Sequence, residues 1–396
     1  MNTNDHQGSE SVNAGEVSRA ERREWIGLAV IALPVMALLL VLGPLLLPES
    51  RDTEAGRVDL LSAALSLISV LAVIYGLKQI AQEGMGWPPL LSILVGLVLG
   101  AVFVRRQRGL AEPLIELRLF RAPAFNASLA TFALSIFVIA GIFLFIAQYL
   151  QLVFGLSPLV AGLWTVPSSI GLIAGSMLAP LVVRWVRPAF VMAGGLVLSA
   201  VGFGMLTQVD AASGLAILVI GSVVLSLGVA PVGTLATDIV VGSAPPERAG
   251  AASGISETSA EFGGALGIAI LGSIGTAVYR SEVADAFPDG APPEAAEAAR
   301  DTLGGAVSVA DQLPGALAAE LLDTAREAFT QGLQVSAITS AAIVLGMAIL
   351  TAVLLRHVRP GSEGQPEAEP GGALAGGKVL GPAPALEESC AQKENP

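Results

Sequence analysis

Charge is what this sequence has least of. Only 14% of its 396 residues are Asp, Glu, Lys or Arg, whereas 53% are hydrophobic. Soluble domains carry about a quarter charged residues. A chain this poor in charge, with a mean hydropathy of +0.71, cannot cover a globular surface with water-binding side chains. A soluble globule is therefore excluded. Cysteine and histidine are almost missing too. One cysteine, Cys390, cannot form an internal disulfide. Together with His6 and His357 it offers no ligand cluster for a metal and no histidine-based triad. No Walker loop is present, so ATP does not drive this chain directly, and no nucleophile elbow appears. No basic patch with interleaved aromatics exists, which argues against nucleic acid. Neither an enzyme nor a cofactor nor a metal is expected.

What the sequence does have is long apolar runs. They fall at about 25–47, 58–77, 87–104, 124–150, 158–182, 189–207, 214–241, 251–279 and 332–355. Most reach the ~18 residues that let a helix cross a bilayer. The expected fold is an all-α polytopic membrane protein of about nine transmembrane segments. Residues 1–24 read as a polar, disordered arm. The run at 25–47 is too long for a signal core and has no small-residue cleavage site after it, so no signal peptide is expected. The runs at 58–104 form a hairpin. Residues 105–123, "RRQRGLAEPLIELRLFRAP", form a basic connector whose "PLIELRLFR" suits a short surface helix. The segment 124–359 holds six runs, interrupted by a long acidic loop at 280–331. That loop contains two helix-like pieces near 292–304 and 314–331. Residues 360–396, rich in Gly, Pro and Glu, read as a disordered tail.

The net charge of −12 is unevenly spread. Acids crowd the 280–331 loop and the tail, and bases crowd the span ends. Arg105, Arg106, Arg108, Arg118 and Arg121 mark the connector as cytoplasmic. Arg184, Arg187, Arg248, Arg356 and Arg359 then fall on the same side. The C-terminus is expected in the cytoplasm of a multi-pass plasma-membrane protein, with the acidic loop outside. The first run does not fit. Arg19, Arg22 and Arg23 precede it and Arg51 and Arg57 follow it, so both flanks favour the cytoplasm. Either it is a re-entrant hairpin bent at Pro34, or one flank loses.

One span contains two carboxylates. In "GAASGISETSAEFGGALG" (250–267), Glu257 and Glu261 lie one helical turn apart. At ~100° per residue, Gly250, Gly254, Glu257, Glu261 and Gly264 share a stripe of about 80°. At ~1.5 Å per residue, Glu261 sits ~16 Å into the span, near the midplane of a ~30 Å core. A charge at that depth costs ~2.5–3.5 kcal/mol on insertion scales. No Lys or Arg lies inside any span to pair with it. Two carboxyls this close suit a site where a proton and a cation compete. Deprotonated, they attract a lipophilic cation; protonated, they release it. The plainer alternative is snorkelling to the interface, which Glu257 reaches more readily than Glu261.

Other features carry less. Asp238, near a span end, is either an interfacial anchor or a secondary site. Asp59 is read as a helix-start acid favoured by the dipole. Gln148 and Gln151, at an outer span end, either touch substrate or face water. Gly171-x-x-x-Gly175 and Gly263-x-x-x-Gly267 are close-packing patterns, as are the glycines of the acidic stripe. Pro167 and Pro231, inside spans, predict kinks or broken helices.

Three stretches carry a resemblance: "LRLFRAPAF" (117–125), "FLFIAQYLQLVFGLSPLVAGLWTVPSSIGLIAGSMLAP" (143–180) and "SAPPERAGAASGISETSAEFGGALGIAILGSIGTAVY" (243–279). From Pro34 to about Arg359 the sequence resembles the later part of fourteen-span drug:proton antiporters of the major facilitator superfamily. The resemblance implies efflux of hydrophobic cations coupled to inward proton flow. It implies that 58–104 is the family's central hairpin, that 124–359 is its C-terminal six-helix half, and that Glu257 and Glu261 are the acids of its thirteenth helix. The N-terminal half departs from the family. "REWIGLAVIALP" (23–34) is similar to the start of its first helix, and "PVMALLLVLGPLLLPESRD" (34–52) to the end of its sixth. The expectation is an internal deletion joined at Pro34. The alternative function is then a non-transporting membrane protein or partner subunit. Membrane lipid is the expected surrounding, and self-association or a full-length relative the expected way to complete the transport path.

Overall fold

The computed structural model describes residues 59–83, 86–110, 119–210, 214–245, 248–285, 293–310 and 312–357, plus Pro34, Met36, Leu38, Leu40 and Leu42. The arm at 1–24, most of the first run and the tail at 360–396 lie outside the described residues. So do residues 111–118 of the connector. The five described residues of the first run are helical and exposed.

Among the described residues all regular structure is helical, and eight helices are long and apolar enough to cross a membrane. They correspond to the eight apolar runs from residue 58 onward. Helices α1 (Leu60–Glu83) and α2 (Trp87–Gln107) form the hairpin. Helices α3 (Pro123–Gln148), α4 (Pro158–Val183), α5 (Pro188–Leu206), α6 (Leu215–Gly242), α7 (Ala249–Asp285) and α10 (Gly315–Leu354) form a bundle. Two short helices, α8 (Pro293–Asp301) and α9 (Leu303–Ala310), lie in the acidic loop. In lipid the backbone must satisfy its own hydrogen bonds, so these apolar runs have no alternative to helix.

The chain divides into two compact units. One comprises residues 1–69 and 98–114, the other 70–97 and 115–396. In the first, Asp59 caps α1. Its Oδ1 accepts from the backbone N–H groups of Leu61 and Ser62, at 3.2 and 3.3 Å, and its Oδ2 from the Ser62 hydroxyl at 2.7 Å. Arg106 donates to the same Oδ2 at 2.9 Å. The Ser62 hydroxyl bond, and then Arg106, hold the carboxyl below its usual range despite partial desolvation. In the second unit, the Ser92 hydroxyl donates to Ala72 O at 2.8 Å across the hairpin.

In the bundle the contacts run α7–α3–α6–α4, with α5 and α10 packed along one side of that row. Five helices start with proline in the first turn (α2 to α5 and α8), where its missing N–H costs nothing. Glycine sets the closest approaches. A Cβ at Gly263 would meet the Ala133 carbonyl and one at Gly267 the Phe137 carbonyl. The paired positions rise together, so α3 and α7 run parallel. Gly171 and Gly175 do the same for α4 on α6, against Val223 O and Leu227 O at 3.0 and 2.6 Å. Gly332 of α10 meets Gly275 O of α7.

Three expectations change. Pro167 and Pro231 break neither α4 nor α6, which are continuous through them. Proline at 231 frees the Leu227 carbonyl four residues back, and that oxygen lies against Gly175, whose Cα–H meets it. The neighbour repairs the helix that the proline weakens. Second, the piece expected at 314–331 is no separate helix. It runs on into the last span as one 40-residue helix. Third, Gly250 and Gly254 pack against nothing: a Cβ at either would find open space, and one at Gly264 only ordinary contacts to Ile136 and Ala140. The close packing of α7 goes through Gly263 and Gly267 instead.

Gly267→Leu is expected to lower the melting temperature of the purified protein. The overpacking costs about 1–3 kcal/mol, because backbone rather than a mobile side chain faces the new atoms. Gly254→Ala should leave the melting curve within error of the parent. Equal losses in both would contradict this packing. Acid is expected to weaken the α1 cap. Its contribution is complete above the ordinary aspartate value of 3.8 and fades as pH falls through the lower, folded-state value. Hydrogen exchange at Leu61 and Ser62 should accelerate there in the parent and be fast at every pH in Asp59→Ala.

Candidate functional site

Helix α7 carries the candidate site. Its buried face, with Ala252, Ile255, Ser256 and Ala260, turns toward the bundle. The opposite side is exposed over its first three turns and holds Gly250, Ser253, Gly254, Glu257, Thr258 and Glu261. That spacing (i, i+3, i+4, i+7, i+8, i+11) is one continuous helical stripe. Every member is polar or glycine. Neither carboxylate makes a hydrogen bond or ion pair among the described residues. The rotation of α7 explains the placement. Gly263 and Gly267 must face α3, and Glu257 and Glu261 stand six residues earlier, about 120° around the helix.

Beside this stripe lies an apolar cavity of about 360 Å³ between α3 and α7, lined also by Val70 of α1. Asn126, Leu129 and Ala133 line one side, and Thr258, Ser259 and Phe262 the other. It is large enough for part of a small organic molecule and offers mostly hydrocarbon wall. Asp238 is exposed on α6, one turn from its C-terminal end. Two residues on, Val240 packs with Ala252 and Ile255 of α7. So Asp238 lies at the same end of the bundle as the stripe. Gln148 lies elsewhere. It lines a cavity of about 90 Å³ with Thr276, Tyr279, Asp301 and Thr302 at the opposite end. Thr276 is fifteen residues beyond Glu261 on α7, roughly 22 Å along the axis. The sequence brings Gln148 and the acidic pair into one helix pair but not into one site. Among the described residues no cluster suits a metal ion.

The end holding Gln148 has a larger feature that sequence reasoning did not assemble. A cavity of about 890 Å³ is lined by Asp210, Asp323, Arg326, Glu327, Thr330 and Gln334, among others. Asp323 and Glu327 fall within the acidic stretch at 280–331. They belong to α10, four residues apart on one face, and the turn after α5 brings Asp210 to them. Two bonds fix that turn: Tyr149 donates to Asp210 O at 2.5 Å, and Gln334 to Val209 O at 2.8 Å. The only available signal was the unbroken helical spacing from Asp323 to Gln334. Helices α8 and α9 cover the neighbouring bundle end. Ala299, Leu303 and Ala306 are buried there, and Tyr279 donates to Ala299 O at 2.7 Å.

Comparison with known proteins settles the family. A family model described as Major Facilitator Superfamily matches residues 14–268. The chain belongs to the Major Facilitator Superfamily. It is similar to "Multidrug efflux pump LfrA" of Mycolicibacterium smegmatis, 41% identical over 338 residues, which cover 85% of this chain and 66% of that protein. It is also similar to "Tetracenomycin C resistance and export protein" of Streptomyces glaucescens, at 30% identity over 89% of this chain and 67% of the relative. "Methyl viologen resistance protein SmvA" of Salmonella typhimurium is 27% identical over 82% and 66%. The chain thus spans about two thirds of the length of the curated relatives it matches. Together with the apolar helices, this makes it a multi-pass membrane protein.

Removing the Tyr279 hydroxyl tests how α8 is held. In Tyr279→Phe, hydrogen exchange across 297–301 should quicken several-fold, consistent with loss of a bond worth about 1 kcal/mol. Exchange in α3 should not change. An unaltered α8 would show that its buried alanines hold it without the tyrosine.

Proposed function

We propose that this protein exports lipophilic cations in exchange for protons, with Glu257 and Glu261 as the shared cation and proton site. The observation that carries the reading is the pair itself. Two carboxylates stand without partners on the exposed polar stripe of a membrane-spanning helix, beside an apolar cavity. Such a site suits a ligand with one positive charge and a hydrocarbon or aromatic body. Proton and cation cannot both neutralise the same carboxylates, so binding one displaces the other. That competition is the minimum chemistry of antiport. Asp238 and Gln148 are secondary positions. Asp238 lies at the end by which a cation enters from the cytoplasm, and Gln148 near the exit.

The relatives support efflux in general. Their printed names cover chemically different compounds, so the cationic class rests on the carboxylates and on methyl viologen, an aromatic dication. The arginines at one end of the helices favour that end for the cytoplasm, with the acidic cavity of α10 outside and the C-terminus inside. The fourteen-span parentage, and a deletion joined at Pro34, agree with a match that covers about two thirds of the relatives' length. A second reading follows from the same face. No helix of this chain covers the acidic stripe among the described residues, so the chain fits a partner subunit that does not transport by itself.

Inverted membrane vesicles separate the two. With an imposed proton gradient, uptake of a fluorescent lipophilic cation is expected, and Glu257→Gln/Glu261→Gln should reduce it to the level of empty vesicles. Single Gln substitutions are expected to lower it at least tenfold. Equal uptake by parent and double variant would remove the pair from the mechanism. No uptake by either, with both inserted, would favour the partner subunit.

A further inference from the structure

The bundle leaves one surface uncovered that lipid does not suit. On α7 it is the stripe of Gly250, Ser253, Gly254, Glu257, Thr258 and Glu261, all exposed. At the other end of the row α7–α3–α6–α4, helix α4 has only 22% of its most apolar window buried, against 44% to 50% for α3, α5 and α6. Facing hydrocarbon, isolated apolar side chains on α4 need no cover. Two carboxylates and two bare glycines on α7 do.

We infer that a second copy of this chain covers the stripe, its α4 lying on α7 and the reverse contact repeated by two-fold symmetry. Two copies of one sequence insert with the same orientation, so the axis runs along the membrane normal. Such an axis, placed before the row, reverses its order in the partner. The α7 end then meets the partner's α4, and α4 meets the partner's α7. Within one copy these helices cannot meet, because α3 and α6 separate them. Gly250 and Gly254 offer the open space that close approach needs.

Charge fits the same arrangement. Arg184 follows the last residue of α4, is exposed, and its side chain makes no bond among the described residues. It stands at the end of the bundle where α7 begins. Glu257 lies about two turns into α7, within reach of a long guanidinium side chain turned inward along the interface. The partner's Arg184 is thus the counter-charge that Glu257 lacks in its own chain, and two such pairs form per dimer. Glu261, one turn deeper, stays free of it. The pair needs Glu257 in its ionised form, and the assembly is read without any transport measurement.

Cross-linking between two differently tagged full chains in native membranes tests it. Both carry Cys390→Ser. One has Thr258→Cys on α7, the other Ile173→Cys at a similar height on α4. Oxidation should yield a product bearing both tags, several-fold above a control that replaces Ile173→Cys with Ile349→Cys, an exposed site on α10. Glu257→Arg in both copies should reduce the product several-fold, and adding Arg184→Glu to both should restore it. A two-tag product no greater than the control overturns the inference. So does an internal cross-link from Thr258→Cys to Leu40→Cys in the same chain, which would assign the stripe to the first apolar run. Failure of the swap to restore the product would remove Arg184 from the interface and contradict the pairing.

Discussion

The bundle depends on how closely α3 and α7 approach. Two glycines, Gly263 and Gly267, lie against the Ala133 and Phe137 carbonyls, where any side chain would collide with backbone. In lipid no hydrophobic effect draws helices together, so close van der Waals contact and weak Cα–H bonds supply the association. That contact also fixes the rotation of α7. With the glycines turned to α3, the carboxylates six residues earlier must turn out of the bundle. The packing of α7 and the exposure of its acids are thus coupled by a single helical angle. A change that let α7 roll by a third of a turn would bury both acids against apolar neighbours.

A second coupling joins α4 to α6. Proline at 231 leaves the Leu227 carbonyl without its helical donor, and Gly175 is where that oxygen rests. The glycine therefore serves a residue on another helix. The same economy holds at the acidic end. Tyr149, Gln334 and Tyr279 each spend a side-chain bond on a loop or short-helix carbonyl, tying the 209–210 turn and α8 to the spans. These ties make a shaped cavity out of what would otherwise be solvated loop.

Much of this was legible in the sequence, because a bilayer restricts the choices. Run length alone located the eight spans, and a 100° step placed Glu257 and Glu261 on one face. What failed depended on neighbours. Small residues lie on every side of α7, so Gly250 and Gly254 fit the packing rule as well as Gly263 and Gly267. Only the position of α3 distinguishes them. The internal prolines signal weakened helices, but whether a helix breaks depends on what meets the freed carbonyl. Asp323 and Glu327 looked like loop acids because the hydropathy falls there. Helical continuity from Gly315 to Leu354 does not require hydropathy, and only the fold shows Asp210 beside them.

The central claim is that the acidic face of α7 exchanges protons for a cation. Calorimetry tests it without a membrane gradient or an intact transport path. Binding of a lipophilic quaternary ammonium compound to the purified protein is measured in two buffers of different ionisation enthalpy, and the difference gives the protons released per cation bound. The account predicts a release of about one or more protons when the pair is protonated beforehand, falling as pH rises. It also predicts that Glu257→Gln/Glu261→Gln abolishes the release. Tight binding with the same heat in both buffers, at every pH, would contradict it.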